Sequence, residues 1–300
     1  MRKRTVITSG RRDRKRVATA VTAVVLLLGA CGSTESSRSE PKPEIPPETV
    51  FKASYFSNPT EIDNQYYSMR PGTRWTFEGS ADRGTGQQPH QVIITVTDLV
   101  KDIDGVTNVV VWEEDLDEGV LAESELAFFA QDDSGNLWNF GEYPELWEGT
   151  KFKGAPSTWI SGFSGAQGGI HVPGTPSENS PSYREGTAPK IDFLDGARVE
   201  GLNRQACALI GCFPNVLVID EWNTTPGDGH QLKNYAPGIG MLRVDPRGGD
   251  EEESLLLAKH EMLSAKEIAE VRQQAFNLDE RAYEHGGKDY RQTTKARLRP

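Results

Sequence analysis

Runs of β-branched and aromatic residues, broken by tight-turn signals, organise the chain from Phe51 to about Leu263. Trp75-Thr76-Phe77 follows Pro71-Gly72, and Gln91–Leu99 (QVIITVTDL) leads through Asp104-Gly105 into Val106–Glu113 (VTNVVVWE). An Asp-Gly pair between alternating apolar runs supplies the positive φ that a tight hairpin turn needs. Val120–Gln131 (VLAESELAFFAQ) and Asn136–Tyr143 (NLWNFGEY) flank Asp132-Asp133-Ser134-Gly135 in the same way. Further strands are predicted at Lys190–Phe193, Arg198–Leu202, Asn215–Trp222, Gln231–Tyr235, Gly240–Val244 and Ser254–Met262. The pattern predicts a mainly β domain over 51–263, an antiparallel meander forming a curved sheet or partly open barrel. A Gly/Pro-rich stretch at 154–189, with seven Gly and five Pro, interrupts it as a long loop.

The period changes at the end of the chain. Ser264-Ala265-Lys266-Glu267 has the Ser-x-x-Glu spacing of a helix capping box. Ile268, Val271, Ala275, Leu278 and Ala282 then recur every three or four residues, one stripe of an amphipathic helix over 264–286. Such a stripe packs on the sheet in the simplest reading; the alternative is a protein partner. Residues 287–300 hold five basic residues against Asp289 and are expected to form a disordered basic tail.

Charge divides the chain in two. Formal net charge is −11, but residues 1–30 carry eight basic residues and one acid, so the rest holds 25 basic against 43 acidic residues, or −18. That balance excludes a nucleic-acid surface, because a polyanion is repelled by net negative charge. Residues 2–16 are basic and Val17–Ala30 is an uncharged apolar run of fourteen, a signal-peptide length rather than a membrane span. The run ends Leu28-Gly29-Ala30-Cys31, which resembles a bacterial lipobox, with Cys31 as the lipidated residue. Arg11-Arg12 lacks the apolar residues of a twin-arginine signal. Residues 1–30 are therefore expected to be a lipoprotein signal peptide, and 31–50, rich in Ser, Glu and Pro, a disordered tether. These expectations put the protein on the extracytoplasmic face of the cell membrane, held by its N-terminal lipid.

The block Ala130-Gln131-Asp132-Asp133-Ser134-Gly135-Asn136-Leu137-Trp138-Asn139-Phe140-Gly141-Glu142 has the form A-Q-D-x-x-G-N-x-W-x-F-G-E. With Asn64–Tyr67, Pro71–Trp75, Gly165–Ile170, Tyr183–Ala188 and Lys233–Gly240, it resembles an uncharacterised family of bacterial secreted proteins and lipoproteins. The resemblance spans Phe51 to Met262 and implies no particular activity. Cys207, Cys212, the capped helix and the basic tail fall outside it.

Candidate chemistry is sparse. Asp132, Asp133 and Asn136 place oxygen ligands of the kind Ca²⁺ prefers on one loop, although Asp and Asn are also turn formers; Asp102/Asp104 and Asp115/Asp117 read the same way. Gly162-Phe163-Ser164-Gly165-Ala166 partly imitates a nucleophile elbow, with His171, His230 and His260 as nominal bases, but the Gly and Pro residues after it oppose the required helix. Trp138, Trp147, Trp159 and Phe163 are candidates to line an apolar ligand pocket, or else to fill core. Cys207 and Cys212 suit a disulfide in an oxidising compartment. No cofactor is expected. The leading function is a non-catalytic binding or envelope-associated module, with an apolar ligand as its sharper form. The alternative is a secreted hydrolase using Ser164 or acids of the 154–189 segment.

Overall fold

The computed structural model describes residues 45–82, 86–224, 229–249 and 252–300. Among these residues, fourteen strands precede the C-terminal helix. They are β1 Thr73–Asp82, β2 Gln87–Ile103, β3 Val106–Asp117, β4 Val120–Gln131, β5 Leu137–Glu148, β6 Lys151–Gly154 and β7 Trp159–Ile160. The second half holds β8 Gln167–Val172, β9 Tyr183–Ala188, β10 Phe193–Ala208, β11 Gly211–Asn223, β12 His230–Ala236, β13 Gly240–Arg247 and β14 Glu252–Met262. Asp104 (φ 53°) and Gly105 (φ 78°) turn β2 into β3 with two left-handed residues, the geometry that matches strand twist in a two-residue hairpin.

Among the described residues, twelve antiparallel strands run in the order β1-β2-β3-β4-β5-β8-β9-β10-β11-β12-β13-β14, and β14 pairs with β1 to close the ring. The sheet is thus a closed barrel, which leaves no continuous unpaired edge. β6 and β7 lie off the ring, both paired with β5.

The segment expected as one long loop at 154–189 supplies β7, β8 and β9, two of which complete the barrel. Its glycines permit this. A Cβ at Gly168 would stand 2.5 Å from the Asn139 carbonyl oxygen, and one at Gly169 would stand 2.3 Å from that of Arg184. Composition read as loop was serving close strand approach. The predicted strand Lys190–Phe193 is mostly a 3₁₀ turn, Pro189–Ile191, with Pro189 fixing φ at its start; β10 begins at Phe193.

Strand alternation divides the side chains between two cores. Inside the barrel, Trp75, Phe77, Val92, Ile94, Val111, Phe129, Ile219, Tyr235 and Leu257 belong to one cluster, closed at one end by Tyr67 and Met69. Outside it, Leu99, Val110, Leu126, Phe128, Trp138, Phe140 and Tyr143 form a second apolar face. That face is covered by α1 (Ala265–His285) through Ala275, Leu278 and Ala282, and by Phe51 and Phe56.

Ser264 caps α1 as its spacing predicts: the Glu267 N–H donates to Ser264 Oγ (3.4 Å), and the Ser264 N–H donates to Glu267 Oε2 (2.8 Å). Ser264→Ala is expected to speed hydrogen exchange at the Glu267 amide about fivefold, with barrel amides unchanged. Of the predicted stripe, Val271, Ala275, Leu278 and Ala282 are buried, whereas Ile268 reaches only the edge near Gly72.

Residues 287–300, expected as a disordered tail, are packed instead. They form the four-residue helix α2 (Gly287–Tyr290) and β15 (Arg297–Leu298), which pairs with β2. Tyr290 and Ala296 are buried in the outer core, and Arg297 pairs with Asp102, so basic composition here reflects ion pairing rather than solvation. The end of the expected tether is ordered too. The Arg184 Nε–H donates to the Pro46 carbonyl (3.2 Å), and Gln167 Nε2 donates to that of Thr49 (3.1 Å). Cys31 and the rest of the tether and leader, 1–44, lie outside the described residues.

Candidate functional site

The interior cluster changes character midway along the barrel. Inward positions that carry apolar residues in one layer carry ionisable ones in the next. On β3, Val109 and Val111 are followed by Glu113 and Asp115; on β11, Leu217 and Ile219 are followed by Glu221 and Asn223. β12 places Lys233 opposite Ile219 and diagonal to Glu221. β5, β8, β9 and β10 add Glu142, His171, Glu185 and Asp195, and β4 places Glu125 directly opposite Glu113. Glu142, Glu185, Asp195, Glu221, Lys233 and His171 are all buried.

Lys233 pairs with Glu221, and His171 Nδ1 meets Glu185 Oε1. Asn139 Nδ2 (2.8 Å) and Trp159 Nε1 (3.0 Å) donate to the two oxygens of Glu142, and Asn223 Nδ2 donates to Asp195 Oδ1 (2.7 Å). Burial raises the pKa of Glu185 to about 7, with Lys233 opposing. Burial and the neighbouring Glu185 raise that of Glu221 to about 8. Burial, then Asp115, Glu123 and Glu142, push Glu113 well above the usual carboxylate range. Burial, then Glu185, Glu142 and Glu221, do so for Asp195. His171 is lowered to about 4 by burial and by Lys233, so its imidazole is neutral. One lysine thus faces a surplus of carboxyl groups, and the cluster holds protons at neutral pH.

A cavity of about 20 Å³ opens among Tyr67, Glu113, Glu142, His171 and Lys233, room for about one water molecule. His171, Glu185 and Glu221 offer a nitrogen and two oxygens that all lie within 4.8 Å of one another. Two of the oxygens here, Glu185 Oε2 and Glu221 Oε1, receive no hydrogen bond from any other residue, and neither does the fully buried Tyr235 hydroxyl.

Neither a family profile nor a curated relative matches the sequence. Two solved structures are similar. One is a candidate exported protein with a YmcC-like fold from Bacteroides fragilis NCTC 9343, 12% identical, over 66% of this chain and 99% of that one, with a TM-score of 0.39. The other is a candidate lipoprotein from Parabacteroides distasonis ATCC 8503, 10% identical, over 66% and 100%, also with a TM-score of 0.39.

The residues singled out from sequence fall mostly elsewhere. Asp132 is the organiser of a turn, not a metal ligand. Its Oδ1 accepts from the Ser134 and Asn136 N–H groups (2.9 Å each), and its Oδ2 accepts from Asn136 Nδ2 and Trp138 Nε1 (2.8 Å each). Asp133 is occupied by the N–H and hydroxyl of Ser57, and Asn136 Oδ1 by the Gly174 N–H. Oxygens already directed at N–H and O–H donors leave little for a cation. Asp102 and Asp104 are likewise taken up, by Thr107 and Arg297 and by Ser161.

The four aromatics do not share a pocket. Trp138 packs on Phe51, Phe56 and Phe140 in the outer core; Trp147 meets Phe152; Trp159 packs at a tilt on Phe193; Phe163 is half-buried beside the outer core. Among the described residues, the central cavity of about 20 Å³ is far too small for an acyl chain, and side chains fill the interior around it.

Ser164 is exposed, with φ 51°, and lies against Asp289, whose carboxyl is held below its usual range by Ser164 and Lys190 despite partial burial. His171 is inside the barrel, His230 pairs with Asp220, and His260 stacks on Trp75. None of the three stands beside Ser164. Cys207 and Cys212 face each other across the β10–β11 hairpin and are bridged.

A second buried group, His90, sits farther along the same interior between Asp117 of β3 (2.9 Å) and Glu253 of β14 (3.1 Å), with Asp115 beside it. Burial alone would lower its pKa; the two acid partners and Asp115 outweigh that and raise it to about 10. A raised folded-state pKa gives stability that is whole below pH ~6.5 and is lost as pH rises through about 10. The stability difference between the wild type and His90→Gln is therefore expected to shrink from pH 6 to pH 10, read from urea midpoints at each pH.

Proposed function

We propose that this chain is a lipid-anchored extracytoplasmic protein, a member of the secreted and lipoprotein family it resembles, acting as a non-catalytic binding or envelope-associated module. The observation that carries the reading is the succession of a basic segment at 2–16, the apolar run Val17–Ala30 and the peptidase-type ending Leu28-Gly29-Ala30-Cys31. The Cys207–Cys212 bridge supports it, since such bonds persist in oxidising compartments. The non-catalytic part is supported by the filled barrel and by Ser164 lying beside an ionised carboxylate fixed by Lys190 rather than a histidine base.

The test is metabolic labelling of the full chain with radioactive palmitate in a bacterium that processes lipoproteins. The wild type is expected to take up label and fractionate with membranes, and Cys31→Ser to take up none. An unlabelled wild type, or a labelled Cys31→Ser, rejects the anchor.

A further inference from the structure

We propose that His171, Glu185 and Glu221 form a site inside the barrel for one divalent transition-metal ion of the zinc class. Four observations converge on it. The donor atoms come from three different strands, β8, β9 and β11, yet all lie within 4.8 Å of one another. One oxygen of each carboxyl, Glu185 Oε2 and Glu221 Oε1, is buried without a donor from any other residue, so the two acids rely on a proton held between them, which a dication can displace. The fully buried Tyr235 hydroxyl, close enough to sense both carboxyls, is unpartnered as well. Finally, the small cavity bordered by His171, Glu142 and Lys233 leaves room for about one water molecule beside the His171 ligand.

The donor set selects the ion. Once the ion displaces the protons of the two carboxyls and the His171–Glu185 contact, one neutral imidazole and two carboxylates neutralise a dication and leave an open position, the pattern that zinc and its neighbours accept. Calcium takes six to eight oxygens and magnesium keeps several waters, neither of which a cavity of about 20 Å³ allows. Lys233 does not block the site, because it pairs with Glu221 through Oε2 and leaves Oε1 directed elsewhere. The surrounding barrel holds all three ligands on strands rather than loops, so the site is pre-organised.

A closed barrel hinders entry of an ion, so the test uses the full chain refolded from denaturant with its disulfide intact, in EDTA or with ZnCl₂, then passed through gel filtration. Elemental analysis is expected to find one zinc per chain in the second preparation, with a higher Tm than the EDTA form. Refolding with CoCl₂ should give a visible d–d spectrum. His171→Gln, Glu185→Gln and Glu221→Gln should each weaken retention by roughly 100-fold or more, while His90→Gln retains the metal. Wild-type protein that leaves the column without zinc and shows no cobalt spectrum overturns the proposal, and that measurement needs no variant to fold. Zinc retained equally by all three Gln variants overturns it as well.

Discussion

Lys233→Met is expected to lower the stability of the metal-free protein by about 3–5 kcal/mol, because it leaves buried carboxyl groups without their cation. The Lys233 side chain is 1% exposed, pairs with Glu221, and is held protonated by Glu221, Glu185 and Asp195 against the cost of burial. The loss is limited by the carboxyls themselves, which take up protons rather than remain charged. That fixes the pH dependence. An acid whose folded-state pKa is raised binds more protons folded than unfolded, so stability declines as pH rises from the ordinary carboxylate range through the raised value. Glu185 (about 7) and Glu221 (about 8) already behave so, and without Lys233 both rise further. The deficit of Lys233→Met should therefore grow between pH 5 and pH 9. Adding Glu221→Leu, which removes the partner, should recover most of it. Urea midpoints with unchanged m-values are the measurement; a deficit that is flat with pH, or a double variant no better than the single, contradicts this account.

The outer architecture was legible because it is local. The Asp104-Gly105 hairpin, the run Gln91–Leu99 inside β2 and the Ser264/Glu267 cap each involve residues within a few positions of one another. The polar interior was not, although its parts were in view. Glu113 follows Val111 by two residues and Glu221 follows Ile219 by two, so each lies on a face already marked apolar. In a barrel wrapped by a helix both faces of a strand carry apolar residues, and Val216-Leu217-Val218-Ile219 gives no sign of which is inward. The cluster exists only once β8, β9, β11 and β12 are neighbours, and two of those strands lay in the segment whose glycines read as loop. The signal that could have found it is a charged residue two positions beyond a buried-looking one, repeated on several strands.

The long motif shows the reverse case, where conspicuous residues serve structure. Asp132 ties the β4–β5 turn to Trp138, and Gly141 (φ 148°) lets β7 approach so closely that a Cβ there would stand 2.6 Å from the Trp159 carbonyl oxygen. That approach brings the Trp159 indole to Glu142, which with Leu137 and Asn139 turns the block's inward side to the interior cluster. The block therefore shapes the wall against which His171 and Lys233 are set, and the aromatics expected to bind a ligand are among its fastenings.

Asp279→Ala is the second large effect, and it separates the helix from the barrel. Lys101 projects from β2 to the outer side and is fully buried there; its ammonium donates to Asp279 Oδ1 (2.8 Å), the Tyr283 hydroxyl (3.1 Å) and the Thr294 carbonyl (2.6 Å). Asp279 also accepts from the Tyr290 hydroxyl (2.7 Å) and the Ala296 N–H (3.0 Å). One carboxylate thus joins β2, α1, α2 and the approach to β15, which is why a basic tail is ordered at all. Burial pushes the Lys101 pKa down and Asp279 draws it back, so without the acid the lysine is an uncompensated buried cation. Removing the acid is expected to cost about 3–5 kcal/mol, and Asp279→Asn, which keeps the shape and part of the hydrogen bonding, less. The loss should be local first. Amides of 265–298 are expected to lose hydrogen-exchange protection while those of β8 to β14 keep it, because the interior core touches none of these groups. Equal loss across the barrel would mean that the helix is part of the barrel's folding unit rather than a strap across its outer face.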